Sequence, residues 1–219
     1  MSKVKIPEVR INFSWLFYND ICLQLDKVQK WDLPSGDKCE EWTEAYRKEW
    51  SKHQTKILTA LQDITGLEFY RSVIDVTTAP GVIPKSYPLF MSFRNRPAEF
   101  VETLTHELIH VLLTDNKIIS IYGDNRDFKL GDEWSKLFGF DDDFNCLVHI
   151  PVHAIHKKLF VDVLNDPQGV ERDIEQMKKF GADSYLKSWD YVEKEGYEVI
   201  IEKLRISYAD IAKTLENKS

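Results

Sequence analysis

The chain has 219 residues, 43% of them hydrophobic and 30% charged, with a formal net charge of −7. That length suits one domain with a sizeable core, and the composition is ordinary for a soluble globular protein. The acidic balance argues against a nucleic-acid footprint, which wants clustered Lys and Arg, and no apolar run approaches the roughly 20 residues of a membrane span. Neither nucleic acid nor a membrane is therefore an expected partner. The start, Met1-Ser2-Lys3-Val4-Lys5-Ile6-Pro7, lacks the apolar core of a secretory signal. Cys22, Cys39 and Cys146 are odd in number, far apart and without C-x-x-C spacing. Free, buried thiols in an intracellular, cytoplasmic protein are the simplest expectation.

In chain order, residues 9–17 are rich in β-branched and aromatic residues, and helix and strand are hard to separate there. Pro34-Ser35-Gly36 marks a loop. Residues 38–61 favour helix, with Trp42, Tyr46, Trp50 and Ile57 spaced for one face, and Gly66 ends the segment. Residues 67–78, with Phe69, Tyr70, Val73, Ile74 and Val76, read as strand, and Ala79-Pro80-Gly81 turns the chain. Residues 86–93 (SYPLFMSF) read as a further strand, which Pro88 assigns to a sheet edge.

A helix opens at Asn95-Arg96-Pro97. Asn95 is placed to cap it, Pro97 fits the first turn, and Glu99 and Glu102 suit its positive end. Thr114-Asp115-Asn116 closes it. A polar connection follows over 123–131, then a short helix over 132–137 and a loop at Asp141-Asp142-Asp143. A further helix is expected over 148–165 with Pro151 in its first turn, broken by Asp166-Pro167-Gln168-Gly169. Residues 170–215 read as two charged helices split near Gly181 and Gly196. The expected fold class is α+β: mostly helical, with a small sheet packed on the helix after Pro97. A single domain spans 1–219, with 165–219 as a candidate C-terminal helical appendage.

Five of the six histidines fall in two clusters, His106-Glu107-Leu108-Ile109-His110 and His149-Ile150-Pro151-Val152-His153-Ala154-Ile155-His156. On a helix, residues four apart share a face, so His106 and His110 can hold one metal ion with Glu107 at its flank. Leu104, Leu108 and Leu112 lie opposite and can pack on a core. Zinc accepts imidazole ligands, and catalytic zinc sites use three protein ligands and keep one position open. Glu107 beside such a site can take a proton from a metal-activated water and pass it to a leaving amine. A charged Glu107 in so apolar a helix is costly without a partner of this kind. The second cluster offers the third ligand: His149 is the first choice and His153 the alternative, both projecting from one helix. The remaining histidines there can orient a ligand or donate to an oxyanion. Tyr185 and Tyr191 read as packing tyrosines, His53 as solvent-exposed, and the Asp141–143 run as a solvated loop, since it lacks EF-hand spacing.

The run Thr103-Leu104-Thr105-His106-Glu107-Leu108-Ile109-His110-Val111-Leu112 resembles the extended active-site motif of the zincin superfamily of zinc metallopeptidases. The resemblance reaches over about 38–165, though its specific part is the motif. It implies a Zn2+ hydrolase with His106 and His110 as ligands and Glu107 as general base. It also implies an edge strand, here 88–93, that pairs with an extended peptide. Metzincins continue H-E-x-x-H-x-x-G-x-x-H, but Leu113 and Asn116 occupy those positions. Gluzincins take a glutamate from a later helix; Glu133 is the candidate, yet Leu137 stands where its usual companion acid would be. The expected activity is hydrolysis of a peptide or protein substrate, either generic or directed at one regulatory partner. The alternative is a non-catalytic metal-binding or protein-interaction module on the same scaffold.

Overall fold

The computed structural model of the chain describes residues 5–28, 33–93, 96–123, 129–139 and 143–217. The chain is α+β: a small four-stranded mixed sheet with the remainder mostly helical. It forms two compact units, Met1–Leu58 with Arg71–Val111, and Thr59–Tyr70 with Leu112–Ser219. The segment 165–219 lies wholly within the second. Among the described residues no helix is long and apolar enough to cross a membrane.

The first unit carries the sheet. β1 (Glu8–Phe13) alternates exposed Glu8, Arg10 and Asn12 with buried Val9 and Ile11, the period-two pattern of a half-buried strand. It pairs in parallel with β2 (Val73–Thr78). A parallel pair needs a long crossover, which runs through α1 (Trp15–Val28) and α2 (Gly36–Thr65). The ambiguous residues 9–17 thus split into strand and helix, parted at Ser14. α2 buries Cys39, Thr43, Tyr46 and Trp50 on one face, while Trp42 is half-buried with its ring 5.5 Å from Phe93.

Two strand expectations change. Residues 67–72 do not join β2; Phe69 bridges Asn116 instead, Tyr70 N–H donates to Asp115 O (3.2 Å) and Lys117 N–H to Glu68 O (2.9 Å). The apolar pattern was right for an extended segment, but its backbone partners come from a loop. Residues 86–93 hold two short strands, β3 (Lys85–Ser86) and β4 (Leu89–Met91), which pair antiparallel with the chain reversing at Tyr87-Pro88. The strand order is β1-β2-β4-β3. The edge strands are therefore β1 and β3, β4 lies inside the sheet, and Pro88, which has no N–H to give a ladder, sits in the reversal.

α3 (Pro97–Thr114) is the helix predicted after Pro97; its suggested cap, Asn95, lies outside the described residues. Phe100 on its first turn stacks on Tyr46 of α2, with ring centroids 4.2 Å apart and planes 5° apart. In the second unit, Asn116 ends the helix: its side-chain amide donates to Leu112 O (2.9 Å), and its Oδ1 accepts from the N–H of Ile118 and Ile119.

The second unit continues with α4 (Leu130–Phe138) and α5 (Phe144–Lys158), then a π-helical turn (Leu159–Val163) in which Leu164 N–H reaches Leu159 O at 2.9 Å. α6 (Pro167–Phe180), α7 (Asp183–Glu195) and α8 (Tyr197–Glu216) complete it. Breaks at both Gly181 and Gly196 make three helices of the expected two. At Gly181 the φ of +62° lies where glycine alone is unstrained, and the chain stops cleanly. α5 starts one turn before the predicted position, because Asp143 caps it by accepting from Cys146 N–H (2.9 Å). Pro151 therefore lies inside the helix rather than at its mouth, at the cost of one ladder bond. α5 packs against α4, α7 and α8 and forms the core of this unit.

Because Phe100 is fully buried and stacked at the start of α3, Phe100→Ala is expected to destabilise the chain by about 3–5 kcal/mol. Urea denaturation of the two proteins measures it; a loss below about 1 kcal/mol would contradict the packing described.

Candidate metal centre

From Leu104 to Leu113 α3 is almost wholly buried. Leu104, Leu108, Ile109, Val111 and Leu112 are fully buried, and even Thr105 turns its hydroxyl back onto Val101 O (2.7 Å). Onto this helix the sequence places His106, Glu107 and His110. The rings of His106 and His110 lie 5.0 Å apart, as side chains one turn apart should. His106, His110 and His149 bring ligating nitrogens within 4.8 Å of one another and could hold a metal ion. His106 is buried, and the other two are half-buried.

His149 comes from α5, more than a turn inside its start. Burial lowers the pKa of this imidazole, opposed by a hydrogen bond to Asn145 O. That bond (2.7 Å) also sets the tautomer, since a carbonyl can only accept. Nδ1 carries the proton and donates, so Nε2 carries the lone pair that a metal needs. Neutral imidazole with one nitrogen fixed by a carbonyl is a chemically suitable ligand.

His153, the alternative, is engaged elsewhere. It is fully buried and stacked on Trp189, with centroids 4.2 Å and planes 8° apart. Ser188 Oγ donates its single proton to Tyr185 O (2.7 Å), so at 2.8 Å it accepts from His153 Nδ1–H. Tyr185 packs against both rings, 4.5 Å from His149 and 4.2 Å from His153. Its hydroxyl and the Trp189 indole N–H donate to the two carboxylate oxygens of Asp173, at 3.4 and 3.0 Å. Residues of α6 and α7 thus brace the α5 histidines. Glu133 is ion-paired with Lys136 at 2.7 Å on α4 and is not among the gathered ligands. Burial pushes the Cys146 thiol up to about 11, so it stays protonated at neutral pH. Of the Asp141–143 run, Asp143 is the α5 cap and the other two lie outside the described residues.

Glu107 is buried, with 8% of its surface exposed, and Ser86 Oγ donates to its Oε2 at 2.6 Å. Next to Ser86, Tyr87 donates its hydroxyl to Val111 O (3.1 Å), one turn along the same helix. Sequence reasoning missed Ser86, Ser188 and Asp173. Each is a small or charged side chain far from the motif, and only tertiary pairing connects it. Comparison with protein-family models, with curated proteins and with solved structures gave no match.

His156 is also fully buried, with its ring 4.4 Å from Phe160, and burial lowers its pKa from 6.5 to about 4. Between those values the unfolded chain binds a proton that the folded chain does not. Stability is therefore unaffected above about pH 6.5 and falls as pH drops toward 4, by about 1.4 kcal/mol per pH unit for this group. His156→Leu is expected to flatten the decline of the urea midpoint between about pH 6.5 and 4.5 by one proton's worth; parallel declines would contradict the assignment.

Proposed function

We propose that the chain is a zinc-dependent metallopeptidase of the zincin type. His106, His110 and His149 hold the ion and Glu107 serves as general base toward a peptide or protein substrate in the cytoplasm. The observation that carries this reading is the gathering of three histidine nitrogens within 4.8 Å, two of them flanking Glu107 in an H-E-x-x-H helix. The donor set is all imidazole, which suits Zn2+ and leaves a coordination position for chemistry. Zinc bound there supplies a lowered water pKa and polarisation of the scissile carbonyl.

The protein's own groups have distinct tasks. The three imidazoles fix the ion, and the Asn145 carbonyl holds His149 in the tautomer that ligates. Glu107 follows His106 in sequence, so it points to the flank of the metal position and takes the proton that the water gives up. It then delivers that proton to the leaving amine, which would otherwise depart as an unstable anion.

Protein purified without chelator or affinity tag is expected to carry about one zinc per chain. His106→Ala, His110→Ala and His149→Ala should each lose it, whereas His153→Ala should keep it. Glu107→Gln should retain zinc while lowering kcat/KM for peptide cleavage by about 10²–10⁴-fold. Elemental analysis and a peptide-library digest read both outcomes. Absence of zinc, with none taken up on addition, overturns the reading. Zinc bound without hydrolysis by the wild type would leave a structural or binding metal site in its place.

A further inference from the structure

We propose that Ser86 is a positioning residue for Glu107: the β3 hydroxyl holds the carboxylate in the orientation from which it takes the proton. The inference rests on the metallopeptidase reading. A glutamate side chain has three rotatable bonds, so it has rotamer freedom to lose when held in one orientation. A general base must stay within hydrogen-bond reach of the proton it takes, and a displacement of about 1 Å can cost on the order of 100-fold in rate. A short O–H···O⁻ bond is the strong, directional kind that supplies such restraint, and the 2.6 Å separation of Ser86 Oγ and Glu107 Oε2 is in that range. A carboxylate has about four lone-pair positions, so one hydroxyl restrains it without exhausting its capacity to accept a proton.

The hydroxyl is itself held in place. Ser86 pairs with Leu89 in the β3–β4 ladder, and β4 pairs in turn with β2. The adjacent Tyr87 is tied to α3 through Val111 O, one turn beyond Glu107. Two consecutive residues of the reversal thus grip two consecutive turns of the helix, which fixes the reversal's register along α3. Because β3 is an edge of the sheet, the residue restraining the base also belongs to a strand beside which an extended peptide could lie.

The test compares wild type, Ser86→Ala and Ser86→Thr for zinc content, kcat and KM, and adds a double-mutant cycle of Ser86→Ala with Glu107→Ala in the metal-free protein. Ser86→Ala is expected to keep about one zinc per chain and KM within about twofold while kcat falls about 10- to 100-fold. Ser86→Thr, which restores the hydroxyl, should recover most of kcat. In urea the two single substitutions should shift the midpoint non-additively, since removing either partner breaks the same bond. Wild type that takes up zinc and cleaves nothing overturns the enzyme reading and this inference together. An active wild type with undiminished kcat in Ser86→Ala, a kcat loss that threonine does not recover, or an additive cycle overturns the inference alone.

Discussion

Two imidazoles and a carboxylate on the largely buried second half of a helix are expensive to keep. His106 and Glu107 are only 7% and 8% exposed, and an unpaired charge in such surroundings costs several kcal/mol. For the carboxylate, the Ser86 hydroxyl supplies a hydrogen bond. The 18 residues of α3 run without interruption from Pro97 to Thr114. The one-turn spacing on which any shared metal depends is therefore set by hydrogen-bonded backbone rather than by flexible loops.

The histidines of α5 illustrate how one cluster can serve two purposes. His149 has its Nδ1 proton committed to a carbonyl one turn back in its own helix, which leaves Nε2 unprotonated with its lone pair available. His153, four residues on, is sandwiched with Trp189 and bonded to Ser188. Tyr185 touches both rings and is anchored on Asp173, which also receives the Trp189 indole proton. A ligand is only as precise as the shell that supports it, and here that shell comes from helices with no histidine of their own.

Local signals made much of the fold legible. Helical spacing in α2 and α3 and Gly66, Gly181 and Gly196 as stops act through neighbouring residues, so sequence alone reveals them, whereas Pro167-Gln168-Gly169, expected as a break, opens α6. The features that escaped are those decided at a distance. Residues 67–72 look like strand but pair with the loop around Asn116. Pro151, a first-turn signal, was overruled by the Asp143 cap and by burial of the whole of 150–156. At the site, the motif announced His106, Glu107 and His110. The choice between His149 and His153 was open in the sequence, because both occupy one helix face and only their tertiary partners separate them. Ser86 gave no signal at all, since serine in a short edge strand is commonplace and its link to Glu107 spans 21 residues.

X-ray absorption at the zinc edge of the zinc-loaded protein tests most directly whether three imidazoles, His149 among them, share one ion. Three imidazole nitrogens at about 2.0–2.1 Å plus one oxygen are predicted, falling to two imidazoles in His149→Ala and unchanged in His153→Ala. A sulfur scatterer at about 2.3 Å, or an imidazole count that His149→Ala leaves untouched, would contradict the account.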